Sequence, residues 1–150
     1  MAVSALWQAL YDYGAELVLV GHDHTYERFA PMNASGASDP TFGVREIVVG
    51  TGGRSHYGFP SVQPNSEVRN NTAWGILKLT LRSNGYDWQF LPVAGQTFTD
   101  SGSATCHGAP GGASAGGPVA GITGKGATAG QLTIRVEAYL AEGDRPRTAE

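Results

Sequence analysis

Two of the chain's four histidines, His22 and His24, stand one residue apart with Asp23 between them. Imidazole and carboxylate are the side chains that most often bind divalent metals near neutral pH. In an extended segment, residues two apart point the same way, so His22 and His24 would share a face and Asp23 would turn from it. Their roots would lie roughly 6.5–7 Å apart by the rise of a strand. That spacing suits two ligands serving two neighbouring metals, which in dinuclear hydrolases sit about 3.5–4 Å from each other. Placement adds to residue type, because the pair follows an apolar run at 16–20 closed by Gly21, and open α/β sheets put their sites at the carboxyl ends of strands. On the His-x-His spacing alone, a polar loop that hydrogen-bonds its own backbone is the competing reading.

Other chemistry-bearing residues are sparser. Arg54 and His56, in the glycine-rich "GTGGRSHYGF", are candidates to reach a substrate phosphate, with a plain polar turn as the alternative. His107 in "TCHG" reads as an exposed polar residue rather than a ligand. Gly50, Gly52 and Gly53 do not form a phosphate-cradling P-loop, since no Gly-Lys-Ser/Thr follows. The single cysteine, Cys106, excludes an internal disulfide framework and any zinc cluster built from several thiolates. Asn33 and Asn70 head glycosylation sequons, which matter only in a secreted protein.

The elements that must position these residues follow from periodicity. Val3, Leu6, Trp7, Leu10 and Tyr11 form the stripe of an amphipathic helix, which Gly14 stops and which should cover the buried strand at 16–20. Residues 31–43 are loop by composition, and 44–49 form a second strand. The segment 74–93 alternates around Asn84-Gly85, predicting a hairpin with a type I′ turn that sets Ile76, Leu79 and Leu81 against Trp88 and Phe90. Trp74, Trp88 and Phe90 read as core. Three stretches result: a folded portion at 1–98, a Gly/Ala/Ser-rich linker at 99–130, and an unassigned strand and tail at 131–150 that would either begin a second module or not fold stably.

With 41% hydrophobic residues among 150, the chain can bury a real core. A net charge of −3 without a Lys/Arg run argues against a nucleic-acid face or a polybasic membrane anchor. No apolar run approaches the roughly 18 residues that span a bilayer, and the opening residues carry no signal-peptide pattern.

The full string "GHDHTYER", Gly21 to Arg28, resembles the last metal-ligand motif of the purple acid phosphatases and their calcineurin-like metallophosphoesterase relatives. "IVVGTGG" and "WGILKLTL" are similar to segments that follow it there, so the resemblance runs from about Leu6 to Val93. It implies an α/β fold, the C-terminal half of an αββα sandwich with mostly antiparallel strands and one N-terminal helix. It also implies hydrolysis of a small phosphate ester at a centre of two metal ions, iron with zinc, manganese or iron. His22 would bind the divalent ion and His24 the other, with Asp23, Tyr26, Glu27 and Arg28 holding the loop. The family's earlier motifs, an Asp, Gly-Asp-x-x-Tyr, Gly-Asn-His and a further histidine, do not occur in the 21 residues before His22. The missing ligands would then come from an N-terminal half or a second chain; alternatively this is a noncatalytic metal-binding or interaction fragment. The resemblance suggests a secreted or periplasmic parent.

Overall fold

The computed structural model describes residues 2–112 and 132–136. Among them the chain is mostly β, with two four-stranded sheets and one short α-helix, an arrangement compatible with an α/β fold. The first sheet has the order β1-β3-β2-β4, from Leu17–Val20 (β1), Tyr26–Phe29 (β2), Arg45–Val49 (β3) and Ser66–Asn70 (β4). β1 runs parallel to β3, while β2 is antiparallel to both β3 and β4. The second sheet, all antiparallel, has the order β7-β6-β5-β8, from Gly75–Arg82 (β5), Gly85–Pro92 (β6), Ser101–Thr105 (β7) and Leu132–Val136 (β8).

One core joins the two sheets. Alternation along each strand turns Tyr26, Ile47 and Val49 of the first sheet toward Leu77, Leu79, Tyr86, Trp88 and Phe90 of the second. Tyr26, Ile47, Leu77 and Phe90 have no solvent exposure. Ile76, expected in this core, pairs with Leu91 on the opposite face; Leu77 takes the inward place, one residue along. Trp74 also lies outside it and is 38% exposed.

The helix Ala2–Asp12 (α1) ends as expected at Gly14, whose φ of +69° suits a residue without Cβ. It covers less of the sheet than its stripe predicts. Trp7 packs on the outer cluster of Phe29, Met32 and Val48, yet Leu6 remains 62% exposed and β1 is half-buried throughout. Two hydrogen bonds fasten the helix to the loop between β2 and β3 rather than to β1: Trp7 Nε1 to Asn33 O at 3.1 Å and Tyr11 Oη to Asp39 Oδ2 at 2.7 Å.

Three further expectations are corrected. The hairpin closes from Arg82 to Gly85 around Ser83-Asn84, and none of Ser83, Asn84 and Gly85 has positive φ, so the turn is not type I′. Gly85 is glycine for a different reason: a Cβ there would sit 2.4 Å from Ala104 O in β7. Residues 99–112 are not linker, for β7 pairs with β6 and a 3-10 turn follows at Pro110–Gly112. Glycine and serine suit an edge strand here because Gly102 leaves room for the Trp88 indole, which a Cβ would approach to 2.3 Å. Nor does 132–136 begin another module, since β8 pairs with β5 from Leu77↔Val136 to Leu81↔Leu132 and completes the second sheet. The rest of the expected linker, 113–130, and the tail at 137–150 lie outside the described residues.

Candidate functional site

The parallel neighbours β1 and β3 end side by side, and the segments leaving them carry the candidate residues. His22 and Asp23 follow β1; Gly50 to Tyr57 follow β3. Contact between the two segments is close. A Cβ on Gly50 would lie 1.8 Å from Asp23 O, and the Gly50 amide donates to Thr25 O at 2.9 Å. Two further hydrogen bonds hold the β3 segment to the second sheet, where Thr51 Oγ1 donates to Gly75 O at 2.9 Å and the Gly75 amide to Thr51 O at 3.1 Å.

His22 and His24 are not on an extended segment. The Thr25 amide folds back on Asp23 O at 2.8 Å, and His22 has φ of +42°, in the left-handed region that only a few per cent of non-glycine residues enter. The strand-derived spacing of the two imidazoles therefore does not apply. His22 and Asp23 are exposed. His24 is half-buried and fixed at one ring nitrogen: Nδ1 lies 2.9 Å from Ser55 O, and since a carbonyl only accepts, Nδ1 carries the proton. Its ring stacks on Tyr57 with centroids 4.2 Å apart and planes within 17°, while the Tyr57 amide donates to His24 O at 3.2 Å. In the neutral ring Nε2 is then the acceptor, the form in which imidazole ligates a metal.

Tyr26, Glu27 and Arg28 lie in β2, the strand between β3 and β4, directly after the histidine segment. Tyr26 and Arg28 reach across to the second sheet and meet on Asp100. Its carboxylate accepts from Tyr26 Oη at 2.6 Å, Arg28 Nε at 2.7 Å, Arg28 Nη2 at 3.3 Å and Trp88 Nε1 at 3.2 Å. Burial pushes the Asp100 carboxyl up, but the hydrogen bonds from Arg28 and Tyr26 and the Arg28 charge outweigh it and leave the carboxyl below its usual range. Burial, then the Asp100 hydrogen bond, pushes the Tyr26 phenol far up, so it stays a donor. Glu27, 8% exposed, takes the Ser66 hydroxyl.

Arg54 is exposed, and its carbonyl faces Trp74 Nε1 at 3.4 Å. His56 has Nε2 against Ala73 O at 3.1 Å and its ring 4.7 Å from that of Trp74, so one ring nitrogen is already engaged by a carbonyl. His107, expected as an exposed bystander, is half-buried: Nε2 lies 3.1 Å from Glu16 Oε2 and its amide donates to Glu16 Oε1 at 2.8 Å. Among the described residues no three His, Cys, Asp or Glu side chains converge to hold a metal ion. Sequence reasoning missed Ser55, Tyr57 and Asp100. A hydroxyl residue used only through its carbonyl leaves no sequence signal, and Asp100 lay in a stretch whose composition reads as linker.

No family model and no solved structure matches the chain. Over 87 residues it is 32% identical to "Probable inactive purple acid phosphatase 1" of Arabidopsis thaliana, a match that covers 53% of this chain and 14% of that protein. At that level the chain is a weak homologue of a purple acid phosphatase-like protein.

Proposed function

We propose that the chain is the C-terminal portion of a metallophosphoesterase related to the purple acid phosphatases, with His22 and His24 each supplying a ligand to one of two metal ions. The observation that carries this reading is His24: Nδ1 is committed to the Ser55 carbonyl and the ring is clamped on Tyr57, the arrangement that orients an imidazole for ligation through its other nitrogen. The donor types fit such a metal centre, but two imidazoles fall short of the three protein ligands that each catalytic metal ordinarily needs. The remaining ligands would come from an N-terminal half or a second chain. When bound, the ions would polarise the phosphoryl oxygens and offset charge developing on them. This chain's own part is to hold His24 in one tautomer and to anchor the ligand segment through Tyr26 and Arg28 on Asp100.

A second reading, a noncatalytic metal-binding or interaction fragment, is favoured by the absence of a third converging ligand among the described residues and by the word "inactive" in the relative's name. Titration of the chain with Mn2+ and Zn2+, beside His22→Ala and His24→Ala, tests the shared part of both readings. We expect each single change to weaken binding by roughly ten-fold or more. Equal binding by the variants would remove the metal site from both readings and leave only an interaction fragment. Turnover of a chromogenic phosphate ester that the variants lack would select the enzyme; metal binding without turnover would select the fragment.

A further inference from the structure

Beside the His-x-His segment lies a cleft of about 270 Å³ lined by Tyr57, Phe59 and Pro60 together with Asp23 and Glu27. Tyr57 belongs to both places, since its ring also stacks on His24. Its backbone is held at both ends, the amide on His24 O at 3.2 Å and the carbonyl by Asn71 Nδ2 at 3.0 Å, so this wall is in position before any ligand arrives. Glu27 reaches the cleft from the middle of β2 and is almost fully buried, whereas Asp23 is exposed at it. Among the described residues no Lys, Arg or His lines the cleft. Arg69, opposite Glu27 in β4, reaches it only through Ser66: Nη1 donates to Ser66 Oγ at 2.8 Å, and that hydroxyl donates to the Glu27 carboxylate outside the cleft lining.

Two carboxylates against no lining cation among the described residues make the cleft wall acidic, with Asp23 the more exposed of the two, and aromatic faces carry a negative quadrupole of their own. The field is felt nearby: burial, then the Glu27 and Asp23 charges, hold the Glu46 carboxyl above its usual range. The volume falls just short of the roughly 300–1,000 Å³ typical of pockets for drug-sized ligands, which suits a single head group. A bare metal ion would gain little from aromatic walls. An alkylammonium gains from both the walls and the carboxylates.

We propose that this cleft binds an organic ammonium group, the positively charged alcohol portion of a phosphate ester whose phosphate lies toward His24. The substrate class would be zwitterionic esters of the phosphocholine and phosphoethanolamine type. That assignment rests on the metallophosphoesterase reading; the cleft's affinity for ammonium does not.

The test is a calorimetric titration of the full chain, free of metal, with choline chloride and with 3,3-dimethyl-1-butanol, its uncharged isostere. Choline should bind in a saturable manner and roughly ten-fold more tightly than the isostere, and Tyr57→Leu and Asp23→Asn should each weaken it by roughly three- to ten-fold. Circular dichroism of both variants establishes that they fold; both changes are at exposed side chains. Equal affinity for choline and isostere, no saturable choline binding, or folded variants with undiminished affinity would overturn the proposal. Because no metal is present, a chain that fails to take Mn2+ still answers this question, so failure of the metal site and failure of the cleft are read separately.

Discussion

The eight residues from Gly21 to Arg28 contain two regions of opposite character. At one end His22 is exposed in a left-handed conformation, and His24 has a single hydrogen-bonded ring nitrogen and one stacking partner. At the other end Tyr26 and Arg28 enter the seam between the sheets and share Asp100 with Trp88. Arg28 also lies over the Trp88 ring at 5.2 Å. One half of the string is free to meet a ligand, and the other fixes where that half stands. A short motif can thus require buried residues as strictly as exposed ones, for reasons that are structural in the first case and chemical in the second.

The largest effect should come from the buried end. Asp100→Ala removes the common acceptor and leaves Arg28, 13% exposed at its side chain, with Glu67 as its one charged partner among the described residues. Removing one member of such a pair costs about 3 kcal/mol, read as a fall in the denaturation midpoint at constant slope. A loss below about 1 kcal/mol would mean that the network behaves as a surface ion pair and would erase the contrast. Acid provides a second test. A carboxyl held below its unfolded value of about 3.9 contributes stability above that value and loses it as pH falls through the folded one. Between about pH 5 and pH 2 the native chain should therefore lose more stability than Asp100→Asn.

A middling effect is expected where the two ends meet. Gly50 has no positive φ, so the only demand for glycine is the approach of Asp23 O. Gly50→Ala should cost about 2 kcal/mol by overpacking and, by displacing the backbone between the two histidines, weaken Mn2+ binding as well. An unchanged melting temperature would show that the segment yields freely, and that His24 is not held by its surroundings.

How far the sequence revealed this arrangement depended on whether the cause was local. Gly14 ended the helix as read, and the apolar–polar alternation across residues 74–93 produced the expected paired strands, with Leu77 in the inward place read for Ile76, since each signal resides in its own segment. β2 escaped notice because Tyr26 and Arg28 are buried by partners more than 70 residues away, so polar residues stand where apolar ones mark a strand. β7 escaped because Gly102 makes room for Trp88, and small residues that admit a neighbour look like flexible ones. The type I′ turn failed because Gly85 answers to β7 and not to the hairpin. At the candidate site the string drew attention to His22 and His24, but the Ser55 carbonyl that sets the His24 tautomer has no residue-type signature.

The smallest effect separates the two regions by sign. Glu46 in β3 has its carboxyl raised by burial and then by Glu27 and Asp23, the reverse of Asp100. A raised carboxyl costs stability once pH exceeds the folded value, and the cost vanishes below the unfolded value of about 4.3. Glu46→Gln should therefore stabilise the chain near neutral pH by less than about 1 kcal/mol, solvent screening having weakened the repulsion, and give no gain in acid. Asp23→Asn should shrink that gain, because one of the repelling charges is then absent, and the double variant should fall short of additivity. Additive behaviour, or a Glu46→Gln variant less stable than the native chain at neutral pH, would mean that Glu46 does not sense the carboxylates of the cleft. The negative field assigned to that cleft would then have to be measured directly, through the difference between choline and its uncharged isostere.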